Sequence, residues 1–64
     1  MNTNTVIRIK DPNTGETVGQ DQRDFIAPPQ VGDFVTLKGK TYAVKARRWT
    51  EAGRGVFVLA IDVE

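Results

Sequence analysis

Hydrophobic and polar residues alternate along much of this chain, and the alternation predicts β-strands. Between Thr5 and Lys10, Ile7 and Ile9 fall on one side of an extended chain while Arg8 falls on the other. A period of two residues is typical of a strand with one buried face. No segment carries a 3.6-residue period over a helical length, so the pattern predicts an all-β fold.

The segment that follows combines turn residues with polar ones. Residues 11–16 include proline, asparagine and glycine and predict a turn, after which residues 17–19 predict a short returning strand. Residues 20–24 are polar and are expected to form a loop. The apolar residues 25–27 precede two prolines, and we expect Phe25 and Ile26 to plug one end of the core rather than to bind a ligand.

Two more predicted strands flank a tight turn. Residues 33–38 place Val35 and Leu37 on one face, Gly39 centres the turn, and residues 41–46 form the next strand. With a last strand at residues 56–63, the chain has five strands, and barrel closure would remove the exposed edges of so small a sheet. The predicted core comprises Ile7, Ile9, Val35, Leu37, Tyr42, Val44, Phe57, Leu59 and Ile61.

The last predicted strand is apolar on both faces. One row holds Phe57, Leu59, Ile61 and Val63, and the opposite row holds Val56, Val58 and Ala60. A half-buried strand needs only one apolar face, so the second row requires cover. Its own chain supplies that cover if the strand bends around a barrel corner or if residues 25–29 lie over it; otherwise a second subunit or a partner does. The candidate protein contacts are Phe34, Val56, Val58 and Ala60.

A stretch in the middle of the chain carries a resemblance. The sequence VGDFVTLKGKTYAVKARRW, residues 31–49, resembles the Gly-Asp-x-Val-x-Leu, turn, Tyr-x-Val pattern of SH3-like barrels in bacterial and phage proteins and in ribosome- or transcription-associated modules. The resemblance covers residues 29–49. It implies one five-stranded, SH3-like small barrel over residues 1–64, and a small bacterial or phage accessory protein. SH3-like folds host many functions, so the resemblance names none.

Composition argues against catalysis. The 64 residues include no cysteine and no histidine, and their acidic residues are scattered. The commonest general base, the strongest nucleophile and any thiolate metal site are therefore missing. We expect no enzyme activity, no cofactor or metal, and no small-molecule substrate. The chain has no apolar run of signal-peptide or membrane-span length, so a cytoplasmic location away from membranes is expected. Met1 and Glu64 suggest a complete small gene product.

Charge is uneven although the net charge is only +1. Between residues 38 and 54 a single acid, Glu51, stands among the cations Lys38, Lys40, Lys45, Arg47, Arg48 and Arg54. The candidate nucleic-acid contacts are Lys45, Arg47, Arg48, Trp49 and Arg54, with phosphates on the cations and a base on the tryptophan. The alternative is a solvated strand end in which Trp49 caps the barrel and the arginines pair with Glu51 or Asp62.

An unbroken strand would point Arg48 inward with Val44, which is costly for a guanidinium, so we expect a bulge or a strand end near Arg47. The sequence thus predicts a non-enzymatic binding module acting through protein–protein contact or self-association, with nucleic-acid binding as the alternative. Self-association would also add buried surface to a domain too small to bury much of its own.

Overall fold

Five strands form one strongly curled sheet in the computed structural model, which describes residues 2–64. The strands are β1 (Thr3–Lys10), β2 (Thr17–Phe25), β3 (Phe34–Leu37), β4 (Lys40–Gly53) and β5 (Val56–Val63). Their order across the sheet is β2-β1-β5-β4-β3. The curl makes a half-barrel whose concave face holds the core. The prediction of an all-β, five-stranded fold is confirmed.

A parallel pair of strands joins the two halves of the sheet. β1 pairs antiparallel with β2, and β4 pairs antiparallel with both β3 and β5. Between these units β1 and β5 run parallel, with Thr5 opposite Leu59 and Ile9 opposite Val63. β2 and β3 remain the two edges of the sheet and do not pair with each other. The sheet is therefore a half-barrel and not a closed one, and the SH3 topology implied by the resemblance is not confirmed.

β2 is much longer than the sequence predicted. It runs from Thr17 to Phe25 and pairs with β1 over its whole length. The loop prediction for residues 20–24 is therefore wrong. The backbone of these residues pairs with β1, and polar side chains do not prevent that pairing. Phe25 packs against the core, as predicted, but Ile26 is 84% exposed and plugs nothing.

The turn between β3 and β4 forms as the sequence predicts. Lys38 and Gly39 both have positive φ angles, 51° and 82°, which is the backbone of a two-residue hairpin turn whose twist matches that of the strands. Leu37 then pairs with Lys40. On the strand itself, Val35 is buried and Phe34 is exposed, so the predicted faces of β3 are confirmed.

β4 changes partners at a bulge. Its first residues pair with β3, its later residues pair with β5, and the register shifts between Val44 and Ala46. The extra residue at this point is Lys45, which lets the strand bend around the half-barrel. The expected irregularity near Arg47 is thus present two residues earlier, and the strand continues to Gly53.

The core lies on the concave face, mainly between β1, β5 and the first half of β4. Its buried cluster comprises Ile7, Val35, Val44, Leu59, Ile61 and Val63, with Ile9, Phe25, Leu37 and Tyr42 packed against it. Every predicted core residue belongs to this set except Phe57, which is 56% exposed. Phe57 lies near the start of β5, opposite Glu51 and two residues before the pairing with β1 starts at Leu59. Val63 is a core residue that the sequence analysis did not predict, and it is fully buried opposite Val44 and Ile9.

Candidate functional site

The strand register assigns Arg47 and Trp49 to the concave face. Side chains of directly paired residues point to the same side of a sheet. Arg47 is paired with Ile61 and Trp49 with Leu59, and both partners are core residues. The bulge at Lys45 causes this placement, because the extra residue reverses the alternation of the rest of β4.

An exposed aromatic pair lies at one end of the concave face. Trp49 is 57% exposed and Phe57 is 56% exposed. Phe57 precedes Leu59, the partner of Trp49, by two residues, so the two aromatic residues are diagonal neighbours roughly 7–8 Å apart at the backbone. Val56, the residue before Phe57, is 59% exposed but falls on the opposite face of the strand. We call the surface of Trp49 and Phe57 the open end.

Phe57 is the residue that sequence reasoning missed at this site. Alternation placed it in the core row with Leu59, and alternation alone cannot tell where along a strand the cover ends. The one signal in the sequence was its position two residues after the turn glycine Gly55. At this position β5 is paired with β4, but its pairing with β1 starts only at Leu59.

The predicted basic rim is divided between the two faces. Arg48 lies on the convex face, where its guanidinium Nη2 is 3.0 Å from Oδ2 of Asp62. The side chain of Asp62 is only 13% exposed, and its Oδ1 is buried without a hydrogen-bond partner among the described residues. Arg48 therefore serves the fold by neutralising a largely buried carboxylate, which is the pairing that the alternative interpretation expected.

The remaining cations of the rim have no such partner. Within residues 2–64 the ion pairs are Arg48–Asp62 and Arg23–Asp21, so Lys45, Arg47 and Arg54 have no carboxylate within ion-pair distance. All three are exposed. Arg47 shares the concave face with Trp49, and Arg54 lies in the turn beside the open end. The open end thus has Arg47 and Arg54 on its border, and Glu51 beside Phe57 accepts a hydrogen bond from the N–H of Gly55 at 3.2 Å.

The predicted protein-contact residues do not form one surface. Phe34 is 74% exposed, but it pairs with Ala43, which exchanges backbone hydrogen bonds with Glu64. Val56 starts β5 eight residues before Glu64, roughly 26 Å away along the strand. Phe34 and Val56 therefore belong to different surfaces.

Ala60 is a second correction. It is only 2% exposed and lies between Val6 on β1 and Arg48 on β4. It offers no free surface to a partner. Val58 is half-buried. Of the four predicted contacts, Val56 and Phe34 remain exposed and lie at opposite ends of the sheet.

A cleft separates the two unpaired edges of the half-barrel. It has a volume of about 340 Å³ and is lined by Ile9, Gly19, Gln20, Asp21, Leu37, Lys38, Lys40 and Tyr42. Its floor is apolar, and the ammonium group of Lys40 lies 5.5 Å from the centre of the Tyr42 ring. On the β2 side, a hydrogen bond from Arg23 and a second from the backbone N–H of Gln22 lower the pKa of the Asp21 carboxyl.

Metal binding has no candidate site in the described part of the chain. Residues 2–64 contain no group of three or more acidic, histidine or cysteine side chains placed to hold an ion. Over the same residues there is no helix with the length and hydrophobicity to cross a membrane.

Comparisons with known proteins do not assign the chain to a family. No family model matches it, and neither a curated protein nor a solved structure matches it. The open end brings two exposed aromatic side chains together on one face.

Proposed function

We propose that this protein is a non-enzymatic binding module that contacts another protein through its open end. The observation that carries the proposal is the aromatic pair: Trp49 and Phe57 lie side by side on one face, each more than half exposed. Aromatic residues dominate the energetics of protein interfaces because they bury large areas with few rotatable bonds. Exposure of these aromatic side chains to water does not stabilise so small a domain, so their exposure indicates a contact surface.

The charges at the border of the open end indicate the chemistry of the partner. Arg47 and Arg54 have no carboxylate within ion-pair distance in residues 2–64, and Glu51, opposite Phe57, is the acidic side chain beside them. A partner that places an apolar side chain over Trp49 and Phe57 and acidic groups at the border would satisfy both. An SH3-like barrel and a role as a small bacterial or phage accessory protein remain expectations from the resemblance of residues 31–49.

Capture experiments with matched aromatic substitutions test this proposal. Phe57→Ser and Trp49→Ser are each expected to reduce recovery of a specific partner from nuclease-treated host lysate at least tenfold, since loss of a central aromatic contact costs about 2 kcal/mol or more. Phe34→Ser is the control, because Phe34 is equally aromatic and 74% exposed but lies at the other end. Equal partner recovery by all three variants would refute the open end as the contact surface.

Nucleic-acid binding is the second candidate, favoured by Arg47 and Trp49 on the same face. Single-stranded nucleic acid binds proteins by stacking bases on aromatic side chains and by placing phosphates on cations. Trp49, Phe57 and Arg47 offer both, with Arg54 in the adjacent turn. Arg48 is not part of this candidate, since it is bound to Asp62.

Fluorescence of Trp49, the only tryptophan, separates the two candidates. Under the second candidate, oligothymidylate quenches Trp49 saturably, affinity falls steeply with salt, and Arg47→Glu abolishes the change while Lys38→Glu, in the cleft, does not. Under the proposed protein-binding function, oligothymidylate leaves the fluorescence unchanged at low salt.

A further inference from the structure

One side of the β2 backbone is an unpaired edge of the sheet. β2 lies at the end of the sheet order, so one side of its backbone pairs with β1 and the other side is open. The backbone N–H of Gln22 donates to Oδ1 of Asp21 at 2.9 Å, as an N–H at the open edge does. Because edge-facing groups alternate along a strand, Gln20, Gln22 and Asp24 face the open side with their backbone groups.

The charges of β2 are complementary to those of a second copy of the strand placed antiparallel to it. An antiparallel pair of two β2 strands centred on Gln22 places Asp21 opposite the partner's Arg23 and Arg23 opposite the partner's Asp21. Centring the pair on Asp21, Arg23 or Asp24 instead would place like charges opposite each other, which is destabilising. Any register centred on a residue pairs edge-facing residues with edge-facing residues, and the one centred on Gln22 is the one that sets Asp21 opposite the partner's Arg23.

The geometry points to a symmetric dimer in which the β2 edges of two copies of this chain pair antiparallel about Gln22. We propose this second copy as the occupant of the edge. The two half-barrels then share one continuous sheet, and the intrastrand contact of Arg23 with Asp21, 3.0 Å long, is exchanged for two contacts across the interface. An interface with two identical halves is the usual form of a homodimer.

One neighbouring feature fits this partner. The cleft beside Gly19 and Asp21 leaves room for the incoming strand. The proposal does not depend on the open end, whose residues lie on β4 and β5.

A charge exchange within β2 tests the proposal. Sedimentation velocity and light scattering are measured on the full chain and on Asp21→Arg, Arg23→Asp and the double variant with both substitutions. The full chain is expected to reach twice its 7.1 kDa mass in a concentration-dependent way. Each single variant places like charges opposite each other and should weaken dimerisation at least tenfold. The double variant restores opposite charges in the same register and should restore the dimer.

Several results would overturn the proposal. A full chain that stays monomeric at millimolar concentration, single variants with the dissociation constant of the full chain, or a double variant that stays monomeric would each contradict it. Circular dichroism checks that the single variants fold, which is expected because exposed ion pairs contribute little to stability. Phe57→Ser should keep the dimer while losing partner capture, so the two proposals fail or succeed separately.

Discussion

Replacing Ile61 with alanine is expected to lower the free energy of unfolding by about 2–5 kcal/mol. Ile61 is fully buried and lies in the central strand, with Ile7 beside it on β1. Truncation removes its transfer energy and leaves a cavity that the surrounding strands cannot close. A domain of this size has a total stability of about 3–10 kcal/mol, taken at 0.05–0.15 kcal/mol per residue, so the variant should be close to unfolded at room temperature. Urea denaturation followed by circular dichroism measures the change.

Phe57→Ala is the matched control for this prediction. Sequence alternation places Phe57 and Ile61 in the same core row, whereas the structure leaves Phe57 56% exposed. Its truncation is therefore expected to cost less than about 1 kcal/mol, as surface substitutions usually do. If Phe57→Ala proves as destabilising as Ile61→Ala, the open end is covered by the chain itself and is not a docking surface.

Ala60→Pro is expected to unfold the protein outright. Ala60 lies in the middle of β5, which is hydrogen-bonded to β1 on one side and to β4 on the other. Proline removes a ladder hydrogen bond and fits poorly in a strand with neighbours on both sides. Circular dichroism of the variant should show the loss of strand signal at room temperature. A destabilisation of several kcal/mol removes most or all of the free energy of unfolding of so small a domain.

Gln22→Pro supplies the comparison on an edge strand. The N–H of Gln22 donates to the side chain of Asp21 and not to β1, so proline there removes no ladder bond of the monomer. The variant should stay folded, although it should no longer dimerise through β2. A folded Ala60→Pro variant, or an unfolded Gln22→Pro variant, would contradict the strand order that places β5 at the centre and β2 at the edge.

The sequence predicts the strands where side-chain alternation and turn chemistry agree. Ile7 and Ile9 alternate with charged residues, and both pack in the core. Lys38 and Gly39 form the hairpin turn that glycine between two short apolar segments indicates. Such features are local, because two or three neighbouring residues determine them.

Features that depend on distant partners were not predictable in the same way. Residues 20–24 of β2 are polar on both faces, and they form a strand because they pair with the backbone of β1, which no pattern within these residues reveals. The parallel pairing of β1 with β5 joins the two ends of the chain and decides that Val63 is buried while Phe57 is exposed.

The candidate site was predictable only in its composition. The sequence singled out Arg47, Arg48 and Trp49, and it indicated that an unbroken strand would bury a guanidinium. The bulge at Lys45 resolves that conflict, because it turns Arg48 to Asp62 on the convex face and Trp49 to Leu59 on the concave face. One inserted residue thus separates a structural arginine from the residues available for binding.

The parallel register of β1 and β5 determines which side chains of β5 lie in the core and which reach the open end, and NMR measures it directly. Backbone NOEs in the isotopically labelled protein should connect Thr5 with Leu59, Ile7 with Ile61 and Ile9 with Val63, in that ascending order. NOEs that run in the opposite order, with Thr5 near Val63, would contradict the half-barrel and the open end together.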